Sequence, residues 1–216
     1  MSFDKKHKIS DFFMTQPILP ILQVDKPSDA VMAVKALQEG GVHVVEVVLR
    51  TAVSLAAITA IRHMVPDMVV GAGTITSADL AIRAKEAGAQ FLVSPGSTAR
   101  LLRAMSATGL PALPGVSTAG DIVRGLEMGF EEMKFFPANI NGGIPALKTF
   151  GDVFKTVKFC PTGGINGNNA MDYLALPNVF AVGGSWLLPK DAIQQGQKHM
   201  ISETCRQMVN LFTLNN

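Results

Sequence analysis

Apolar positions along the chain fall into short runs separated by longer stretches of helical periodicity. Gly41-Val42-His43-Val44-Val45-Glu46, Gly88-Ala89-Gln90-Phe91-Leu92-Val93 and Gly129-Phe130-Glu131-Glu132-Met133-Lys134 share one pattern, a helix-ending glycine followed by an apolar strand. Further runs lie between them, such as Met68-Val69-Val70-Gly71, Leu110-Pro111-Ala112-Leu113 and Val157-Lys158-Phe159-Cys160. The repeating unit is therefore about half the spacing of those glycines, close to a minimal β/α unit. Strands are predicted near Ile18–Gln23, Val44–Leu49, Met68–Gly71, Phe91–Ser94, Leu110–Leu113, Glu132–Phe136, Val157–Cys160 and Val179–Val182. Helices are predicted over Ser28–Glu39 with Ser28 as N-cap, over Ser77–Ala87 and Thr118–Met128, and as one long final helix over Asp191–Leu211.

Strands that read as nearly continuous apolar runs argue for a parallel sheet covered on its outer face. Eight alternating strand–helix units predict an α/β fold, a single (β/α)8 TIM barrel over residues 1–216 with a short lead-in before about residue 16. A doubly wound open sheet, which more often has five or six strands, is the alternative.

Superposing the three glycine-headed segments puts Glu46, Val93 and Lys134 at one offset, on the second, fourth and sixth predicted strands. In such a barrel, alternate strands share interior layers, so Glu46 and Lys134 should point inward at a similar height. By the same parity Val44, Val48, Arg50, Glu132 and Phe136 face inward, while Met133 and Phe135 face the helices. Ionisable groups in a barrel interior cost several kcal/mol unless paired or functional. A desolvated lysine beside a carboxylate can attack a ketone and form a Schiff base, an electron sink for a carbanion, while the carboxylate moves protons. Met133, Phe135 and Phe136 are expected to supply the apolar surroundings. Arg50 suits a substrate carboxylate. A buried ion pair without chemistry is the competing explanation, and Glu132 is expected to pair with a deep cation.

The active mouth of a barrel is its C-terminal end, where Thr74, Ser94-Pro95, Thr162 and Ser185 also fall. Pro161-Thr162-Gly163-Gly164-Ile165 follows the seventh strand and Val182-Gly183-Gly184-Ser185-Trp186 the eighth. Paired glycines there let backbone N–H groups approach phosphate, although tight turns would also use them. Gly71-Ala72-Gly73-Thr74 lacks the third glycine of a dinucleotide fingerprint, and Asn141-Gly142-Gly143 reads as a turn leading into a helix.

Composition narrows the function further. With 48% hydrophobic residues and a net charge of +2, the 216-residue chain is too apolar for disorder. Nineteen basic against 17 acidic residues, with no basic stripe, predict no nucleic-acid partner. No apolar run nears the roughly 20 residues of a membrane span, and the polar N-terminus lacks a signal-peptide core. The two cysteines, Cys160 and Cys205, lie far apart, consistent with reduced thiols in the cytoplasm. His7, His43, His63 and His199 show no ligand spacing, so surface or packing roles are expected and no metal is predicted.

Together, Glu46-Val47-Val48-Leu49-Arg50-Thr51, Gly71-Ala72-Gly73-Thr74, Lys134-Phe135-Phe136-Pro137-Ala138, Phe159-Cys160-Pro161-Thr162-Gly163-Gly164-Ile165 and Gly183-Gly184-Ser185-Trp186 resemble the KDPG aldolases. These are class I aldolases for 2-keto-3-deoxy-6-phosphogluconate (KDPG) and 4-hydroxy-2-oxoglutarate (KHG). The resemblance runs from about Gln16 to Pro189. It implies Lys134 as Schiff-base lysine and Glu46 as general acid/base. It also implies Arg50 and Thr74 on the pyruvate carboxylate, Pro95 and Phe136 shaping the pocket, and Gly163, Gly164, Gly184 and Ser185 on the phosphate with Thr162 nearby. A small 2-keto acid as ligand, no cofactor, no metal and a homotrimer are implied as well. Val48 stands where the family more often has Thr, and Asn139-Ile140 where an acidic and a small residue are common. Substrate preference is therefore more open than reaction type. The galactonate-derived epimer or an unphosphorylated 2-keto acid, a non-covalent isomerase or epimerase, and a phosphate-ligand sensor are the alternatives.

Overall fold

The computed structural model describes residues 8–13 and 16–214; His7 and the rest of the polar stretch 1–7 lie outside the described residues. A 3-10 helix (Ile9–Phe13) leads into strand β1 (Ile18–Leu22). Alternation follows through α1 (Pro27–Glu39), β2 (Val44–Val48), α2 (Ser54–Met64), β3 (Val69–Gly73), α3 (Ala78–Glu86), β4 (Phe91–Val93) and α4 (Ala99–Ala107). The second half runs through β5 (Ala112–Leu113), β6 (Gly115–Val116), α5 (Ala119–Glu127), β7 (Glu132–Phe135), α6 (Gly143–Val153), β8 (Lys158–Pro161), α7 (Ala170–Leu174), β9 (Val182–Gly184), α8 (Lys190–Gln194) and α9 (Lys198–Leu214).

Every strand pairing is parallel. One ladder has the order β5-β4-β3-β2-β1-β9 and the other β6-β7-β8. Sequence neighbours thus lie side by side, without the reversal of strand order that defines a doubly wound sheet. The protein has an α/β fold with a curled parallel sheet. Single parallel bridges, Phe159 with Val179 and Thr162 with Gly183, connect the two ladders. The predicted strand near Leu110–Leu113 is found as the shorter β5, and an unpredicted strand β6 follows it beyond Pro114, which has no N–H for a ladder. Its carbonyl still accepts the Lys134 N–H at 2.9 Å.

Two apolar clusters lie on opposite faces of the sheet. Val45 and Val47 of β2 join the larger cluster against the helices, whereas Val44 joins a smaller one with Leu19, Phe91, Val93, Leu113, Cys160 and Ala181. Ile9 and Phe13 of the lead-in belong to the smaller cluster, and Phe12 packs at a tilt against Phe91 with ring centroids 5.8 Å apart. Among the described residues, Glu132 meets no cation there. Its carboxylate instead accepts from the N–H and hydroxyl of Ser10, because the lead-in reaches its strand end.

Three helices end as expected before glycines with positive φ: Gly41 at +89°, Gly88 at +96° and Gly129 at +80°. Ser77 and Thr118 cap α3 and α5, the latter in a full capping box with Asp121. Burial works to raise the Asp121 pKa, but hydrogen bonds from Ser117, Thr118 and Arg124 prevail and hold it below the ordinary value. Two helix expectations need correction. Pro27, pre-set for the first helical position, starts α1 one residue before Ser28, which makes no cap bond. The long final helix is divided into α8 and α9, with Gly196 at φ +65° between them.

Cys160 and Cys205 are free and buried. Burial pushes each thiol from 9.0 up to about 12; for Cys160, Lys134 opposes and Glu46 reinforces that shift. At pH 8 the folded protein is expected to leave Ellman's reagent uncoloured, with both thiols reacting in guanidinium. Between pH 9 and about 12 the unfolded chain gives up protons that the native thiols keep, so stability should fall as pH rises. Urea midpoints across that range measure it.

Candidate active site

Glu46 sits in the middle of β2, in register with Ile21 of β1 and Gly71 of β3. Lys134 lies on β7, in register with Gly115 and Cys160. The curl brings their side chains together: Lys134 Nζ is 3.2 Å from Glu46 Oε1 and 3.3 Å from Oε2. Glu46 is 0% and Lys134 5% exposed. An unpaired ion at such depth costs several kcal/mol, so each group offsets the burial of the other. The Phe136 ring centroid lies 5.2 Å from Nζ, a cation–π distance. Met133 and Phe135 do not surround the ammonium. They face the helices, with Met133 against Gly125 of α5 and Phe135 edge-on to Phe150 of α6.

A feature that strand parity alone misses is Gly73. A Cβ built there would lie 2.0 Å from Glu46 Oε1, so the carboxylate rests on the bare backbone of β3. Gly71, two residues earlier on the same strand, makes the same space for the Phe91 ring, 2.2 Å from a hypothetical Cβ. The glycines of Gly71-Ala72-Gly73 are thus sockets for side chains of the neighbouring strands. An alternation of glycines facing predicted inward residues could have revealed them.

Lys134 and Phe136 form part of the wall of a cavity of about 430 Å³. Val48 and Arg50 line it from β2 and the following loop, Thr162, Gly163 and Gly164 from the end of β8, and Gly184 and Ser185 from β9. Gly163 and Gly164 both have positive φ, +98° and +74°, and their loop is tied to the Lys134 strand by the Asn139 N–H donating to the Gly163 carbonyl at 3.1 Å. Successive turns of this kind present backbone dipoles to an anion. Ile21, Gln23, Leu188 and Lys190 also line the cavity and were not singled out by the sequence.

Two expected members stand apart. Thr74 does not line the cavity; its hydroxyl accepts from Arg50 Nε at 3.1 Å and so holds the guanidinium. Thr74 has φ +62°, a left-handed conformation costly for a β-branched residue. Pro95 lines a neighbouring cavity of about 310 Å³ between the starts of α3 and α4. His43, His63 and His199 are exposed. Among the described residues no three His, Cys, Asp or Glu side chains group as metal ligands, and no helix is long and apolar enough to cross a membrane.

A curled parallel β/α sheet with a lysine–carboxylate pair in its concave face and glycine turns at its strand ends defines a protein of the aldolase class. A family model described as KDPG and KHG aldolase matches residues 9–204. The 2-dehydro-3-deoxy-phosphogluconate aldolase of Pseudoalteromonas atlantica is 44% identical over 207 residues, covering 95% of this chain and 96% of that one. The KHG/KDPG aldolase of Escherichia coli K12 is 44% identical over 204 residues, covering 94% and 96%. Among solved structures, KDPG aldolase from Legionella pneumophila, with pyruvate captured at low pH as a covalent carbinolamine intermediate, has a TM-score of 0.91 at 42% identity, covering 94% of this chain and 98% of that one. The chain belongs to the KDPG and KHG aldolase family and is a lyase.

Proposed function

We propose that this protein is a Schiff-base aldolase that reversibly cleaves KDPG to pyruvate and glyceraldehyde 3-phosphate, with KHG, cleaved to pyruvate and glyoxylate, as a second substrate. The observation that carries this reading is the Lys134–Glu46 contact of 3.2 Å at the wall of a cavity that also holds Arg50 and the glycine turns.

Transfer of the ammonium proton to Glu46 leaves Lys134 an amine, which attacks the C2 carbonyl of the substrate. Glu46 returns the proton to the carbinolamine hydroxyl, which leaves as water and gives a protonated imine. Glu46, again a carboxylate, takes the C4 hydroxyl proton, directly or through water. The C3–C4 bonding electrons move toward the imine, the aldehyde leaves and an enamine remains. Protonation at C3 and hydrolysis release pyruvate and restore the lysine. Arg50, steadied by Thr74, would bind the substrate carboxylate, with Phe136 against the pyruvyl carbons and Pro95 shaping the adjoining wall. Gly163, Gly164, Gly184 and Ser185 would receive the phosphate, with Thr162 beneath them.

The bridges between β8 and the β9 region support reading the curled sheet as one closed (β/α)8 barrel and one domain, with β5 and β6 together as its fifth strand. Two buried free thiols suit a reducing cytoplasm. A homotrimer of 23.0 kDa chains is the expected assembly; light scattering that returns the mass of one chain would refute it. The activity itself is tested by pyruvate release in a lactate dehydrogenase-coupled assay with KDPG, its galactonate-derived epimer and KHG. Fastest turnover of KDPG is expected. Release from the epimer alone would reassign the substrate, and release from none would overturn the reading.

A further inference from the structure

The cavity holds a cation that the chemistry above leaves unused. Of the side chains lining it, Arg50, Lys134 and Lys190 carry charge, and all three are basic. The Lys134 charge is taken up by Glu46, and Arg50 is held on the β2–β3 side by Thr74. Lys190 stands on the opposite side, at the start of α8 and a few residues beyond Gly184 and Ser185, with the connection turned back by the Leu188 N–H donating to the Ser185 carbonyl at 2.9 Å. Its ammonium lies 3.4 Å from Asp25, in the loop after β1. Strands β1 and β9 are paired, Pro20 with Gly184, so the two residues face each other from neighbouring strand ends.

The pair is well exposed, 61% at Lys190 and 53% at Asp25. Exposed ion pairs contribute little to stability, so exchanging the Asp25 carboxylate for a stronger partner is nearly free. A phosphate dianion at the glycine turns is such a partner, because glycine turns offer partial charges only and the site otherwise has no full positive charge on that side. We propose that Lys190 is a specificity-determining residue: on binding, its ammonium passes from Asp25 to the substrate phosphate and so selects phosphorylated over unphosphorylated 2-keto acids. This rests on the aldolase reading above.

The measurement is kcat/KM for KDPG and for 2-keto-3-deoxygluconate, the same compound without phosphate, in the wild type, Lys190→Met, Lys190→Arg and Asp25→Asn. In K190M the ratio of the two should fall at least tenfold, about 1.4 kcal/mol, with the loss carried by KM for KDPG. K190R should recover most of the ratio, and D25N, which frees the ammonium, should lower KM for KDPG. The preference of the wild type should weaken with salt, and that of K190M less so. An unchanged ratio in K190M, or equal losses on both substrates, would overturn the proposal while leaving the aldolase reading intact. If the wild type cleaves neither compound, the aldolase reading itself fails.

Discussion

Lys134→Met is expected to lower kcat by on the order of 10⁴-fold or more, since no other amine can take the place of a covalent nucleophile. That loss corresponds to at least about 5 kcal/mol of transition-state stabilisation. The same change has a second, separable consequence. It leaves Glu46, 0% exposed, without its cation. Breaking a buried pair on one side costs about 3–5 kcal/mol, because the remaining charge is neither solvated nor compensated. Lys134→Met alone should therefore unfold at lower urea, and adding Glu46→Gln should restore much of that stability and none of the activity. If the double variant were as unstable as the single one, the two groups would not be coupled as the 3.2 Å contact requires.

Gly73→Ala is expected to remove most of the activity from a residue that does no chemistry. The added methyl would stand 2.0 Å from Glu46 Oε1 and 2.6 Å from its Cδ, so the carboxylate must swing away from Lys134. A displacement of about 1 Å at a reacting group costs roughly 10²-fold, and the loss of kcat should reach at least that. Some stability should be lost as well, because the displaced carboxylate is fully buried and leaves Lys134 without its partner. Gly71→Ala should disturb the concave packing without touching that pair. There the methyl meets the Phe91 ring at 2.2 Å, inside the concave cluster, and the ring is fully buried. Overpacking of that kind costs about 1–3 kcal/mol, so this variant should lose stability by an amount visible in its urea midpoint. An active Gly73→Ala enzyme with Glu46 unmoved in its crystal structure would remove Gly73 from the account.

Much of this arrangement was legible in the chain. The glycine-headed repeat places Glu46 and Lys134 at one offset because β-strand parity is a local property that three-dimensional closure leaves intact. The alternation of Gly71 and Gly73 hints at sockets, but which neighbouring side chain fills each one is decided only across the ladder. Pro114 illustrates a different loss. It directly follows the predicted strand Leu110–Leu113, and only the ladder shows that pairing resumes beyond it as β6. Gly196 likewise hides in a stretch of helical pattern, and its φ of +65° turns one predicted helix into two. Ile9 and Phe13 carry no periodicity of their own, so their position under the concave cluster could be found only from the fold. Thr74 joins the site through Arg50, a contact between loops that spacing does not encode.

The proposed reaction requires a covalent imine between Lys134 and the substrate. Borohydride reduction in the presence of pyruvate, followed by peptide mass mapping, tests it directly. One reduced pyruvate unit should appear on the peptide carrying Lys134, activity should be lost in step with its formation, and Lys134→Met should gain none. Turnover of KDPG that continues through the same treatment with Lys134 unmodified would rule out catalysis through an imine.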